Sequence, residues 1–205
     1  MKYPVTRFKS LKAALKELEP FIRNGQHLQS GKPFERFGGM LSREAVANWL
    51  ICVAVNANHK ADRLTFCSDP VGGDGIICDT ETEETFLTEH VVVPAVAGGQ
   101  EVDIAPLILQ AIEKKRDKGG EAYASGKMLV VFQSAEGQKW YPNRVAKELP
   151  DPLYFEDVWV VGLQGVEDGA YIYQVTRLDL SQGDAPAWRV RIGKEFDGWT
   201  VEPIQ

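Results

Sequence analysis

The sequence is short of the residue types that announce the commonest chemistries. It has three cysteines and three histidines in 205 residues. Cys52, Cys67 and Cys78 form no Cys-x-x-Cys pair, which argues against a zinc ribbon or a dithiol redox centre. An odd number cannot pair completely, and free cysteines in apolar stretches behave as small hydrophobes. His27, His59 and His90 share no ligand-like spacing, so a catalytic zinc is poorly supported. There is no His-Glu-x-x-His and no Gly-x-Ser-x-Gly. Gly72-Gly73-Asp74-Gly75 lacks the lysine and hydroxyl residue of a Walker loop. No apolar run reaches the roughly 18 residues that span a bilayer. The longest, Ala45 to Val55, is interrupted by Asn48. The first residues lack the apolar segment of a signal peptide, so the expectation is a soluble, reduced, cytoplasmic protein with no membrane partner. Positive charge is also scarce: 23 Lys and Arg against 29 Asp and Glu give a net charge of −6. That balance excludes a general nucleic-acid coat protein but not a local basic groove.

What is present is ordinary globular material, 44% hydrophobic and 25% charged, of a length that fits one domain. Residues 7–23 carry Phe8, Leu11, Ala14, Leu15, Leu18, Phe21 and Ile22 at helical spacing, with Pro20 expected to kink the helix or start a second turn. A polar break spans Asn24 to Lys32, and a loop anchored by Phe34 and Phe37 follows. Ser42 reads as the N-cap of a helix to about Asn56, apolar on most sides and therefore packed on more than one face. Three short strands come next, at 63–67, 75–78 and 86–93, separated by SDPVGGDG and an acidic tip, Asp79 to Glu84. Val102 to Lys118 is a helix ending in Lys114, Lys115, Arg116 and Lys118. MLVVF at 128–132 and VWVVGL at 158–163 read as buried strands, with a short Pro-initiated helix at 142–149 between them. The tail alternates at 170–178, 187–192 and 199–201, an antiparallel meander with Arg189 and Arg191 on one face and Trp188 and Val190 on the other. Its aromatic and basic residues can track a nucleic-acid strand, but an ordinary two-faced sheet explains them as well. The reading is one mixed α/β (α+β) domain. It comprises a helical cover (1–40), a core of mixed sheet flanked by helices (41–163) and a C-terminal β meander (164–205).

Three acids stand at telling places: Glu44 in the first turn of the apolar helix, Asp74 opening the second strand, and Glu89 within the third. Neighbouring strands lie about 5 Å apart, so Asp74 and Glu89 converge if they face the same way. Carboxylates so placed suit Mg²⁺ or Mn²⁺, hard cations that take oxygen ligands and phosphate. Each acid also has a plainer reading. Glu44 favours a helix dipole, Asp74 a glycine turn, and Glu89 a partnered carboxylate in an apolar strand. His90 alternates to the face opposite Glu89 and reads as exposed. The tip at 79–84 reads as solvated, without the ligand spacing of a calcium loop.

Helix, strand, strand bearing Asp74, strand bearing Glu89, helix, strand, helix, strand resembles the restriction-endonuclease-like core of the PD-(D/E)XK nucleases over about residues 40–163. GGDGII at 72–77 is similar to the turn seen in several members. The resemblance implies Mg²⁺-dependent hydrolysis of DNA phosphodiesters, with Glu44, Asp74 and Glu89 as metal ligands and catalytic residues. The Glu-x-Lys lysine of that family is replaced by Val91. Its role then falls to a lysine of the following helix, Lys114 or Lys115, with Gln110 one turn before Lys114. Two other classes stay open. One is an inactive fold serving as a binding or assembly module, including a homodimer. The other is an unrelated α+β enzyme, marked by a deep apolar pocket away from the three acids.

Overall fold

The computed structural model describes residues 10–95 and 103–205, so the expectations placed on Phe8 and Val102 lie outside it. Helix α1 (Leu11–Arg23) buries the stripe Leu11, Ala14, Leu15, Leu18 and Ile22. Pro20 lies within this helix and begins no new one. Having no N–H, it forgoes only the bond to the Lys16 carbonyl. Gly25, at φ 62°, turns the chain into a four-residue helix, α2 (Gln26–Gln29), where sequence implied only a polar break. Strands β1 (Pro33–Phe34) and β2 (Met40–Leu41) pair around a 3-10 turn. They seat Phe34 and Phe37 in the core.

Helix α3 (Ser42–His59) is the centre of the molecule. It is buried from Ala45 to Ala54 without a break, including Asn48. Its N-cap is Leu41, not Ser42. The capping acceptor is Glu44, whose Oε2 takes the Leu41 N–H at 2.8 Å.

The remaining strands form one sheet: β3 (Leu64–Cys67), β4 (Ile76–Asp79), β5 (Thr85–Val93), β6 (Lys127–Gln133), β7 (Asp157–Glu167), β8 (Ala170–Arg177), β9 (Ala187–Ile192) and β10 (Trp199–Pro203). Spatial order follows sequence order. Pairing is antiparallel except between β5 and β6 and between β6 and β7. Those two parallel steps are crossed by α4 (Ala105–Asp117) with α5 (Gly120–Ala124), and by α6 (Pro142–Lys147). The C-terminal meander thus continues the same large, curled, mixed sheet.

α1 and α3 cover one face against Phe66, Ile77, Val130, Phe132, Trp159, Val161, Tyr173 and Trp188. α4 and α6 cover the other against Leu129, Val131, Val158 and Val160. Burial of both faces is why β6 and β7 are uninterrupted apolar runs. Among the described residues no helix is long and apolar enough to cross a membrane. The acidic tip is only partly solvated. Asp79 is 2% exposed, ion-paired to Arg63, and accepts the N–H groups of Glu81 and Thr82.

Candidate active site

Asp74 and Glu89 meet through strand register. Ile76 pairs with Leu87, and the Thr88 N–H bonds the Gly75 carbonyl at 2.9 Å. Continuing this antiparallel pairing by one residue puts Asp74 opposite Glu89, on one face of the sheet. Asp74 Oδ2 accepts the His90 N–H at 2.7 Å, which fixes the carboxylate against β5. Gly75 permits the close approach: its φ is +148°, and a Cβ there would collide with Asn48 Nδ2.

Glu44 arrives from α3. One helical turn later Asn48 reaches β5, donating to Thr88 Oγ1 at 3.3 Å and meeting His90 Nε2 at 3.1 Å. The first turn of α3 is thereby pinned beside the two strand acids. Burial pushes the Glu44 carboxyl up to about 7, with Asp74 adding to the rise and the Leu41 N–H, Arg43 and Lys115 opposing it. Asp74 is raised too, first by burial and then by Glu89, against the His90 N–H, Lys115 and Arg43. Glu89 differs. Burial works to raise it, but Lys115 and Lys127 hold it below the usual carboxylate range.

Lys115 is the cation that sequence left unresolved. It projects from α4 onto Glu89 Oε1 in a largely buried ion pair, and Lys127 Nζ stands 4.0 Å from Glu89 Oε2. Lys114, the neighbouring candidate, is exposed; it faces an open groove of ≈1080 Å³ with Gln110, Lys118, Arg43 and His90. The groove therefore carries both halves of the Gln110/Lys114 face that sequence singled out.

His90 is not exposed. It is 6% accessible because the face opposite Glu89 is the one α3 covers. Asn48 Nδ2 donates to Thr88, so Asn48 Oδ1 takes the His90 Nε2–H, leaving Nδ1 buried and unpaired. Burial, then Lys115 and Arg43, lower this imidazole to about 3, so it stays neutral.

Four neighbours were not foreseen. Arg43 makes no ion pair among the described residues, and its buried Nε has no partner. Asn48 is the polar link from α3 to β5. Tyr123, on α5, is capped by Lys127 Nζ at 4.1 Å and Lys118 Nζ at 5.1 Å from its ring centroid. Lys127 was assigned no part, although its register partner, Leu87, is two residues from Glu89. Only Asn48 carried a signal, as the one polar residue in the apolar run.

Chemically, the site offers hard oxygen donors. Among the described residues Asp74 Oδ1 and Glu44 Oε1 have no hydrogen-bond partner, so two carboxylates keep an oxygen available to a divalent cation. No three His, Cys, Asp or Glu side chains among the described residues are gathered closely enough to hold a metal ion as they stand. No family model matches the chain, and no curated protein or solved structure matches it either.

Proposed function

We propose that this chain is a metal-dependent phosphodiester hydrolase acting on DNA, built on a restriction-endonuclease-like core. The observation that carries the reading is the Lys115–Glu89 pair. A lysine from the helix after the Glu89 strand stands where Val91 leaves a vacancy in the Glu-x-Lys pattern. The order α3–β3–β4–β5–α4–α5–β6 and the placing of Asp74 opposite Glu89 support it further.

Asp74 and Glu44, each with an oxygen free of hydrogen bonds among the described residues, would hold Mg²⁺ or Mn²⁺, with Glu89 as a third ligand once it is drawn closer to them and off its lysines. The bound ion supplies charge neutralisation at the scissile phosphate and a more acidic water. The remaining work belongs to the chain. The His90 N–H holds Asp74 in orientation. Lys115, paired to Glu89, presents a fixed positive charge to the attacking water or to a phosphate oxygen. Arg43, Lys114 and Lys118 line the groove and suit the phosphates of the flanking strand.

The test is cleavage of single- and double-stranded DNA with Mg²⁺ or Mn²⁺. Asp74→Ala and Glu89→Gln should abolish it, and Lys115→Ala should slow it by on the order of 10²-fold or more. Lys114→Ala should weaken DNA binding and leave the chemical step intact. Wild-type rates in Asp74→Ala or Lys115→Ala would overturn the assignment.

One observation favours a second reading, a non-catalytic binding or assembly module. Both Glu89 oxygens already face lysines, as in a structural ion pair. That reading expects DNA or a second copy of the chain to bind without cleavage, and no measurable Mg²⁺ affinity.

A further inference from the structure

A second cavity, ≈650 Å³, opens at the other end of α3 and shares no residue with the acidic site. Its residues on α3 are Ile51, Val55, Asn58 and His59, against Glu44 at the start of that helix. At 1.5 Å per residue, Val55 lies about 16 Å along the axis from Glu44. The floor is apolar. It is formed where the α3-facing residues of successive strands end, among them Ile77, Phe86, Met128, Trp159 and Trp188. The indoles of Trp159 and Trp188 stack with centroids 5.9 Å apart, inclined by 21°. Phe86 is 37% exposed, so one aromatic wall already faces solvent.

The rim is polar and predominantly acidic. Glu156, Asp157, Asp179 and Asp184 line it against a single strong cation, Arg177. Arg177 is committed to two of them, Asp157 at 2.8 Å and Asp179 at 3.6 Å. Asp157 also accepts from Trp159 Nε1 at 2.9 Å, which ties the rim to the aromatic floor. Among the described residues Glu156 and Asp184 have no cationic partner. Glu156 accepts only the Gly126 N–H, and Asp184 only the Asn143 amide. The segment from Asp179 to Ala185 is held by hydrogen bonds from the Ser181 N–H and hydroxyl to the Asp179 carboxylate and from the Ala185 N–H to Asn143 Oδ1 on α6.

We infer that this cleft binds a small organic cation with a flat apolar body, an arylalkylamine in chemical class. A volume of this size, an apolar floor and a few fixed polar groups are the features of a small-molecule site. The uncompensated rim acids repel carboxylates and phosphates and attract an ammonium group. Aromatic walls suit both the ring and the charge. The site is independent of the nuclease reading.

The probe is 2-phenylethylammonium, followed by the indole N–H resonances in ¹⁵N-labelled full-length protein. Phenylacetate, of similar shape and opposite charge, is the control. The ammonium probe should shift the Trp159 and Trp188 resonances saturably, and phenylacetate should not. Glu156→Gln combined with Asp184→Asn keeps the shape of the rim and should weaken binding by about fivefold, more at low salt than at high. Phe86→Ala should weaken it as well, whereas Asp74→Ala should bind normally. The inference is overturned by equal shifts from phenylacetate, by no saturable shift with the ammonium probe, by wild-type affinity in the double variant, or by loss of binding in Asp74→Ala.

Discussion

Acid should unfold this protein partly through one histidine remote from both sites. His27, on α2, is 1% exposed and bridges two elements. Its Nδ1–H donates to the Phe21 carbonyl at 3.1 Å, and Nε2 accepts from the Tyr173 hydroxyl at 2.7 Å. Both ring nitrogens are satisfied in the neutral tautomer, and burial lowers the imidazole from 6.5 to about 4, against the Phe21 carbonyl. Between those values the unfolded chain binds a proton that the folded chain refuses. The stabilisation is therefore complete above about pH 6.5 and declines as pH falls towards about 4. From about pH 7.5 to about pH 5 the loss through His27 alone is about 2 kcal/mol, taking 1.36 kcal/mol per unit. The assay is urea unfolding of wild type and His27→Gln at both pH values. The variant starts less stable, but its loss on acidification should be about 2 kcal/mol smaller. Glu44 and His90 titrate alike in both proteins and cancel in the comparison. Equal pH dependence in the two proteins would refute the reasoning.

Glu44 should act in the opposite direction. Its folded value, about 7, lies above the ordinary 4.5, so the stability it contributes is full below about 4.5 and is lost as pH rises through 7. Urea unfolding should show wild type losing about 2–3 kcal/mol relative to Glu44→Gln between about pH 5 and about pH 8.5. Gly75→Ala should cost about 2–3 kcal/mol, because the new methyl strains φ and displaces Asn48 from Thr88 and His90; thermal unfolding reads this directly. Trp49→Phe removes the Nε1 bond to the Leu11 carbonyl at 2.8 Å and part of the contact with Trp199. It should cost about 1–3 kcal/mol by urea unfolding and free the start of α1 to proteolysis.

The parts of the fold legible in the sequence are those set by local period. The apolar runs at 128–132 and 158–163 are buried strands because helices cover both faces. The turns at 72–75 and 80–84 set the β3–β4–β5 meander, and with it the meeting of Asp74 and Glu89. What escaped reading depended on the third dimension. His90 alternates away from Glu89 as expected, but alternation does not reveal that α3 lies on that side. Ser42 has the chemistry of a cap, yet Glu44 does the capping from within the first turn. The choice between Lys114 and Lys115 is a matter of helical phase. Ile108, Ala111 and Ile112 are buried, and 115 continues their stripe towards the sheet, whereas 114 lies about 100° round the helix. Tyr123 lies on a one-turn helix bounded by glycines, too short to have a period. Arg43 carried no signal beyond its place beside Glu44.

α3 packs against β3 and β4 at one edge of the sheet, against β10 at the other, and against β6 to β9 between them, and it reaches β5 through Asn48. Such a helix is a spindle on which the sheet is wound. Neither edge can peel away without uncovering it, and the core on its face of the sheet is lost if it leaves. The amide protons of α3 should therefore exchange with solvent only when the whole chain opens, at a free energy equal to global stability. α4 and α6 lie outside the winding, against the separate core of the opposite face, and their amide protons should exchange at a lower free energy than those of α3. The consequence is a division of labour in opening: Glu44 sits on the element expected to open last, and Lys115 on one expected to open before it.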